Sequence, residues 1–430
     1  MQYEIALMLL LLMLTAFRIR DRKRLAMVWG GIFLFFIYIH RALLPFIVSG
    51  LYFFFIIGII DSIVFLDIKN IARPAGVFIN RLYGMLERGL LPCTAVTVLI
   101  VMIQLCRMNI SIDYDSLRYG LRSDVLLSDN GIRGFFESMG LVNLVYTYPK
   151  GFELITLPLN FGHTYGYVLA FNIWVFIAIL MLSGETVRVL CGRNDMRAFA
   201  FTAMLTALVP GISNMALTAK SDLMTLFCQL IFVFCLIKYL AEEKSCKYED
   251  VLYRTLSGIG TGALLMSFSF KPTALVFSSV TGLLAAAFFI IKRKHIVFNS
   301  KGLRAALMLT AFTALITLRT LFVSGQPVTS IFSGVFDALG FKLRYPFMAQ
   351  TVINEGNASF TVDRIEFYLS RIIHFILCPT GEDMEHVIMA WGGLIFIVML
   401  FAAVIMYKRT SRNIESLMLL RGIGAADKEN

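Results

Sequence analysis

Charge is scarce in this chain. Lys, Arg, Asp and Glu make up 16% of its 430 residues, while 58% are hydrophobic. A soluble body of that length needs far more polar surface. Long polar stretches are missing too, so no soluble domain is expected. No glycine-rich phosphate cradle occurs, which speaks against a nucleotide-driven cytoplasmic pump. The seven cysteines are scattered without a CxxC pair and read as small buried hydrophobes, not as a disulfide framework. His40, His163, His295, His374 and His386 are dispersed, with no metal-ligand spacing.

What the chain does have is apolar length. Runs of 16–24 residues recur from end to end, each long enough for a hydrocarbon core of about 30 Å. The runs are continuous and do not alternate, which argues against a β-barrel. The expected fold is an all-α polytopic membrane protein with about eleven transmembrane helices. They lie near 4–17, 25–39, 43–66, 91–107, 164–184, 197–212, 221–241, 256–270, 273–291, 304–323 and 387–407. The stretch 366–379 is short, carries Arg371 and His374, and reads as interfacial or re-entrant. The first apolar run has no basic segment before it and no small-residue cleavage site after it. It reads as a span and not as a signal peptide.

Alternate loops differ in basic charge. One set (18–24, 67–90, 185–197, 242–255, 292–304, 408–430) holds 25 Lys and Arg. The other set (40–42, 108–163, 213–220, 271–272, 324–386) holds 11 over a greater length. Basic residues accumulate in cytoplasmic loops, so the second set faces outward. The same bias accounts for the net charge of +11 without a nucleic-acid partner. The expectation is an integral cytoplasmic (inner) membrane protein with its N-terminus outside and its C-terminus cytoplasmic. Its organisation reads as N-terminal spans (1–66), a core (67–323) with outer loop 108–163, a second outer loop (324–386), and a last span with a tail (387–430).

The first outer loop holds "SIDYDSLRYGLRSDVLL" (111–127), with three aspartates and two arginines. Wound as a helix on the membrane surface, it would put Asp115, Arg118, Tyr119 and Arg122 on one face. The plain reading is surface decoration, since exposed ion pairs are worth little. Further on, "YTYPKGFELITLPL" (146–159) turns at Pro149 and Gly151 and re-enters with Glu153, an acid suited to a helix start. Lys271 lies between two spans with only Lys-Pro as a loop, and an ionisable group so near the apolar zone is a functional suspect. Asp222 opens a span after Ser221, where a helix N-cap explains it equally well.

"DYDSLRY", then "YPKGFELI", then "ALTAKSDLMTLFCQLIFVF" (216–234) and "FSFKPTALVF" (268–277) follow in order among the spans. Together they resemble the C-type (GT-C) integral membrane glycosyltransferases. The similarity is to the branch related to protein O-mannosyltransferases and the lipid A aminoarabinose transferase, and it covers roughly residues 90–290. There are departures. Tyr114 splits the acidic pair, Gly120 stands where many relatives carry His, and Lys150 replaces the second proline of the usual Tyr-Pro-Pro-Gly.

The resemblance implies a polyprenyl-phosphate-linked sugar as donor and a glycan, lipid or protein acceptor, with membrane lipids around. Such a reaction needs a carboxylate base and cations for the departing phosphate. Asp115 is the expected base, with Asp113 as the alternative. Arg118, Tyr119, Arg122, Lys150, Glu153, Asp222, Lys271 and Arg344 are the expected substrate-binding residues. Arg344 lies in the second outer loop beside Lys342, ahead of Asp363, Glu382, Asp383 and His386. Those acids could hold a divalent cation, because hard cations want several oxygens. Two other activities fit the same pattern of spans: a polysaccharide polymerase or ligase, and a lipid-linked saccharide flippase or other transporter.

Overall fold

The computed structural model describes residues 2–108, 116, 148–160, 165–191, 195–242, 250–291, 298–328 and 333–344. Among these, every regular element is helical. Three helices open the chain: α1 (Gln2–Arg18), α2 (Arg22–Ile39) and α3 (Leu43–Phe65). A short 3-10 turn (Ile68–Ala72) leads into α4 (Arg73–Met85), and α5 (Leu91–Arg107) follows. Further along the chain come α6 (Gly151–Thr156), α7 (Gly166–Cys191), α8 (Met196–Leu208) and α9 (Pro210–Met215). Next are α10 (Asp222–Glu242), α11 (Asp250–Met266), α12 (Thr273–Ile291), α13 (Ser300–Ser324) and the short α14 (Ser333–Ala338).

Five of these helices, α3, α7, α10, α12 and α13, are long and apolar enough to cross a membrane. The α5 and α8 helices are apolar but shorter. The expected spans at 43–66, 164–184, 221–241, 273–291 and 304–323 fall on the five long helices. The expected span at 387–407 and the segment 366–379 lie outside the described residues.

Local chemistry sets the helix ends. Asp21 caps α2 by accepting from the Lys23 N–H, and Asp195 caps α8 by accepting from Arg197 and Ala198. Asn299 caps α13, accepting from the Gly302 N–H at 2.7 Å, and Gly325 ends it in the left-handed region at φ 84°. Side-chain contacts hold neighbouring ends together. His40, after α2, meets Glu4 of α1 at 3.5 Å, while Arg22 at the start of α2 meets Glu87, between α4 and α5, at 3.3 Å.

The α7 helix is the hub. Of its span-length window 67% is buried, against 17% for α12. Its Phe171, Phe176 and Ile179 pack into one core with Phe53 of α3, Phe199 of α8 and Leu223 of α10. The α11 and α13 helices approach closest. A Cβ on Gly258 would lie 2.0 Å from the Gly302 carbonyl oxygen, and one on Gly262 would lie 3.1 Å from the Ala306 Cα. This Gly-x-x-x-Gly face lets two backbones touch where no hydrophobic drive separates helix from lipid. Polar side chains then tie the bundle inside. Ser49 of α3 donates to the Tyr167 carbonyl (2.6 Å), and Trp174 of α7 donates to the Phe46 carbonyl (2.8 Å).

Candidate functional site

Three connections meet at one end of the bundle. They are the segment 148–153 that begins α6, the turn between α9 and α10, and the Phe270–Lys271 junction before α12. Between them lies a cavity of about 150 Å³ lined by Lys150, Glu153, Lys220, Asp222 and Lys271, with Tyr148 and Phe270 among the other walls. Four residues singled out from the sequence for separate reasons thus border one space.

The backbone geometry explains the convergence. Gly151 lies against the turn ahead of Lys271: a Cβ there would sit 2.6 Å from the Ser269 carbonyl oxygen. Only glycine lets the two strands of chain pass so closely. The α9–α10 turn is held from within by Asn172 of α7, which is fully buried. Its amide donates to the Met215 carbonyl at 3.0 Å and to the Thr218 carbonyl at 2.6 Å. Beside it, Arg107 at the end of α5 donates to Asn214 at 3.2 Å.

Two ion pairs line the cavity, and they differ in kind. Lys150 is 1% exposed, Glu153 is 7% exposed, and their side chains meet at 3.1 Å. So deep a pair is costly to desolvate and tolerable only because the charges compensate each other. Burial pulls the Lys150 ammonium below its ordinary value of 10.5, while the Glu153 charge and hydrogen bond hold it up and the Arg319 charge pulls it down further. Glu153 Oε2 is buried and accepts no hydrogen bond among the described residues. The second pair is half-open. Lys271 donates to Asp222 Oδ1, with side chains 34% and 31% exposed. Asp222 is therefore both the first residue of α10 and the partner of a cation from another turn.

Ser116 is the described residue of the first long loop's acidic stretch. It is fully buried, and its hydroxyl accepts from the Ala219 N–H at 2.8 Å. Ala219 itself lines the cavity. Asp113, Asp115, Arg118, Tyr119 and Arg122 lie outside the described residues. So do the second-loop acids Asp363, Glu382 and Asp383, and His386.

Arg344 is placed elsewhere. Its segment folds back on the end of α13, where the Arg344 N–H donates to the Ser324 carbonyl at 2.9 Å and Gln326 donates to the Phe341 carbonyl at 3.0 Å. The Arg344 side chain is exposed and does not line the cavity. Among the described residues no three His, Cys, Asp or Glu side chains come together to hold a metal ion.

Sequence reading missed Lys220, Ser116 and Asn172. Lys220 stands in "TAKSD" two residues before Asp222, so its proximity was readable. Asn172 had one signal, an amide in the middle of an apolar span, where polar side chains find partners across helices. Compared with family models, with curated proteins and with solved structures, the chain matches none.

Proposed function

We propose that this chain is a membrane glycosyltransferase of the GT-C kind. It moves a sugar from a polyprenyl-phosphate carrier to a glycan, lipid or protein acceptor on the outer face of the cytoplasmic membrane. The reading includes about eleven spans, the N-terminus outside and the C-terminus inside. What carries it is the convergence of Lys150, Glu153, Asp222 and Lys271 around one cavity, at loops the basic-residue bias assigns to the outside.

The chemistry needs a base and a phosphate clamp. As the acceptor oxygen or nitrogen attacks the anomeric carbon, a carboxylate takes its proton. The bond from that carbon to the phosphate oxygen breaks, and the lipid phosphate leaves with the electron pair. Asp115 is the base in this reading, with Asp113 as the alternative. Ser116, the next residue along from Asp115, is anchored to the cavity wall at Ala219. Lys271 and Lys220 are the cations for the leaving phosphate, and Asp222 keeps Lys271 in position. The small cavity holds a headgroup-sized ligand, and the lipid tail lies among the helices.

The test is transfer of labelled sugar from candidate polyprenyl-phosphate donors in membranes holding the intact protein, Asp115→Asn or Lys271→Ala at matched levels. Transfer by the intact protein that is lost in Asp115→Asn, with donor binding kept, supports the reading. Undiminished transfer moves the base to Asp113 or Glu153. Absence of transfer with any donor, combined with donor flipping in proteoliposomes, replaces the enzyme with a transporter.

A further inference from the structure

The α3 and α10 helices both pack along α7 and scarcely meet each other. The seam between them holds two cavities. One, of about 250 Å³, lies among α3, α7, α10, α11 and α13. The other, of about 670 Å³, lies toward the Lys238 end of α10, between α3, α4, α7 and α10. They share Phe53, Ile57, Asp61, Phe227 and Ile231, so the two spaces adjoin. Phe53 and Phe227 stand across the junction, with ring centroids 6.4 Å apart. Along α10 the walls are Met224, Phe227, Cys228, Ile231 and Phe234. Steps of three and four keep these on one helix face.

The seam begins beside the polar cavity. Ile155, Met224 and Met266 line the smaller apolar cavity. Glu153, Asp222 and Phe270, each a few residues away from one of them in sequence, line the polar one. The same step is made on three separate segments, so the apolar space starts within about one helical turn of the charges. Apart from Asp61, the walls of the smaller cavity are apolar. They offer water few hydrogen-bond partners, and a void forfeits the dispersion contacts of the atoms that line it. Hydrocarbon fits such a space. The larger cavity does not select a headgroup. Asp61 faces Arg73 at 3.9 Å, Arg81 meets Glu185 at 3.0 Å, and Lys238 lies over the Phe234 ring at 5.8 Å.

We infer that the seam between α3 and α10 takes the hydrocarbon chain of the lipid phosphate whose head sits in the polar cavity. The chain then lies inside the bundle and not in the surrounding bilayer. The headgroup's place rests on the proposed transferase site, while the path of the chain rests on the two apolar cavities.

Photocrosslinking reads that path. The full chain in nanodiscs is given a sugar-free polyprenyl phosphate that carries a diazirine about 10 Å along its chain, roughly the rise from Asp222 to Phe227–Ile231. After irradiation, mass spectrometry locates the adducts. They are expected on Phe227 and Ile231 of α10 and on Phe53 and Ile57 of α3. Adducts on the exposed Phe277 and Leu284 of α12, with none in the seam, put the chain in the bilayer and overturn the inference. The matching polyprenol, which lacks the phosphate, labels the seam about tenfold less, the worth of one charge-assisted hydrogen bond. Equal labelling by the two probes also overturns it, because the chain would then enter without its head. Cys228→Leu fills the smaller cavity from α10, and Ala178→Leu narrows the larger one from α7. Each lowers seam labelling severalfold in protein whose melting temperature in detergent has not fallen. Undiminished labelling in both counts against the seam. No sugar is transferred in this experiment. Failure of the transferase reading therefore leaves seam adducts in place, and adducts on α12 leave sugar transfer untouched.

Discussion

The two ends of α10 show two ways to place charge in an apolar bundle. At the Asp222 end one ion pair goes inward. Lys150 and Glu153 are buried, and the cavity they border is small and polar. At the Lys238 end the charges border a large apolar space and lie less deep, with Arg73 56%, Asp61 21% and Glu185 19% exposed. A buried pair contributes little net stability and is strongly destabilising when halved. A rim charge contributes little either way. A pair held inward at such cost suits positioned chemistry.

Substitutions can break this contrast, starting with the largest effect. Lys150→Ala leaves the Glu153 carboxylate buried without its ammonium and lowers unfolding free energy by about 3–5 kcal/mol. Replacing both residues, as Lys150→Met with Glu153→Leu, recovers most of that loss. Denaturant titration of detergent-solubilised protein distinguishes the two cases. If Lys150→Ala is as stable as the intact chain, the inward placement is not the costly one. Asp222→Asn releases Lys271 and lowers sugar transfer roughly 10²–10³-fold, while the melting temperature barely moves, because the pair is partly solvated.

Gly151→Ala comes next. Its methyl meets the Ser269 carbonyl oxygen, and the backbone must shift, at a cost of about 1–3 kcal/mol. Both transfer and stability fall together. A pH series sharpens the comparison further. The folded chain releases the Lys150 proton at a lower pH than the unfolded chain does. Between those points the unfolded state holds more protons, so stability rises with pH, up to the ordinary lysine value of 10.5. The Lys150→Met, Glu153→Leu double variant loses that slope in thermal melts across alkaline pH. The smallest effect is at the other end, where Arg73→Ala changes stability by no more than about 1 kcal/mol.

Hydropathy alone located the long helices, because a 20-residue apolar run has one cheap solution in a bilayer. Individual residues of the cavity were readable for the same reason: Lys271 and Asp222 stood out as ions beside apolar runs. Their pairing was not readable. They are 49 residues apart in sequence, and nothing local marks which turns share an end of the bundle. Glu153 read as a helix-entry acid, and α6 does place it in its first turn. Its burial with Lys150 depends on Gly151 fitting against Ser269, a tertiary fact. The cavity at the Lys238 end left almost no trace in the sequence, since aromatic residues facing a void and aromatic residues facing a core look alike.

The hydrogen bond from Ala219 to Ser116 joins residues 103 apart in sequence, and α7 and α8 lie between them. During synthesis, chains emerge N-terminal first. The acidic loop is thus made long before its anchor exists, and Lys271 follows later still. A nascent chain stalled ahead of residue 219 holds the loop without its tether, and one stalled ahead of 271 holds Asp222 without its cation. The cavity at the Asp222 end is completed late in biogenesis, so early insertion intermediates lack it.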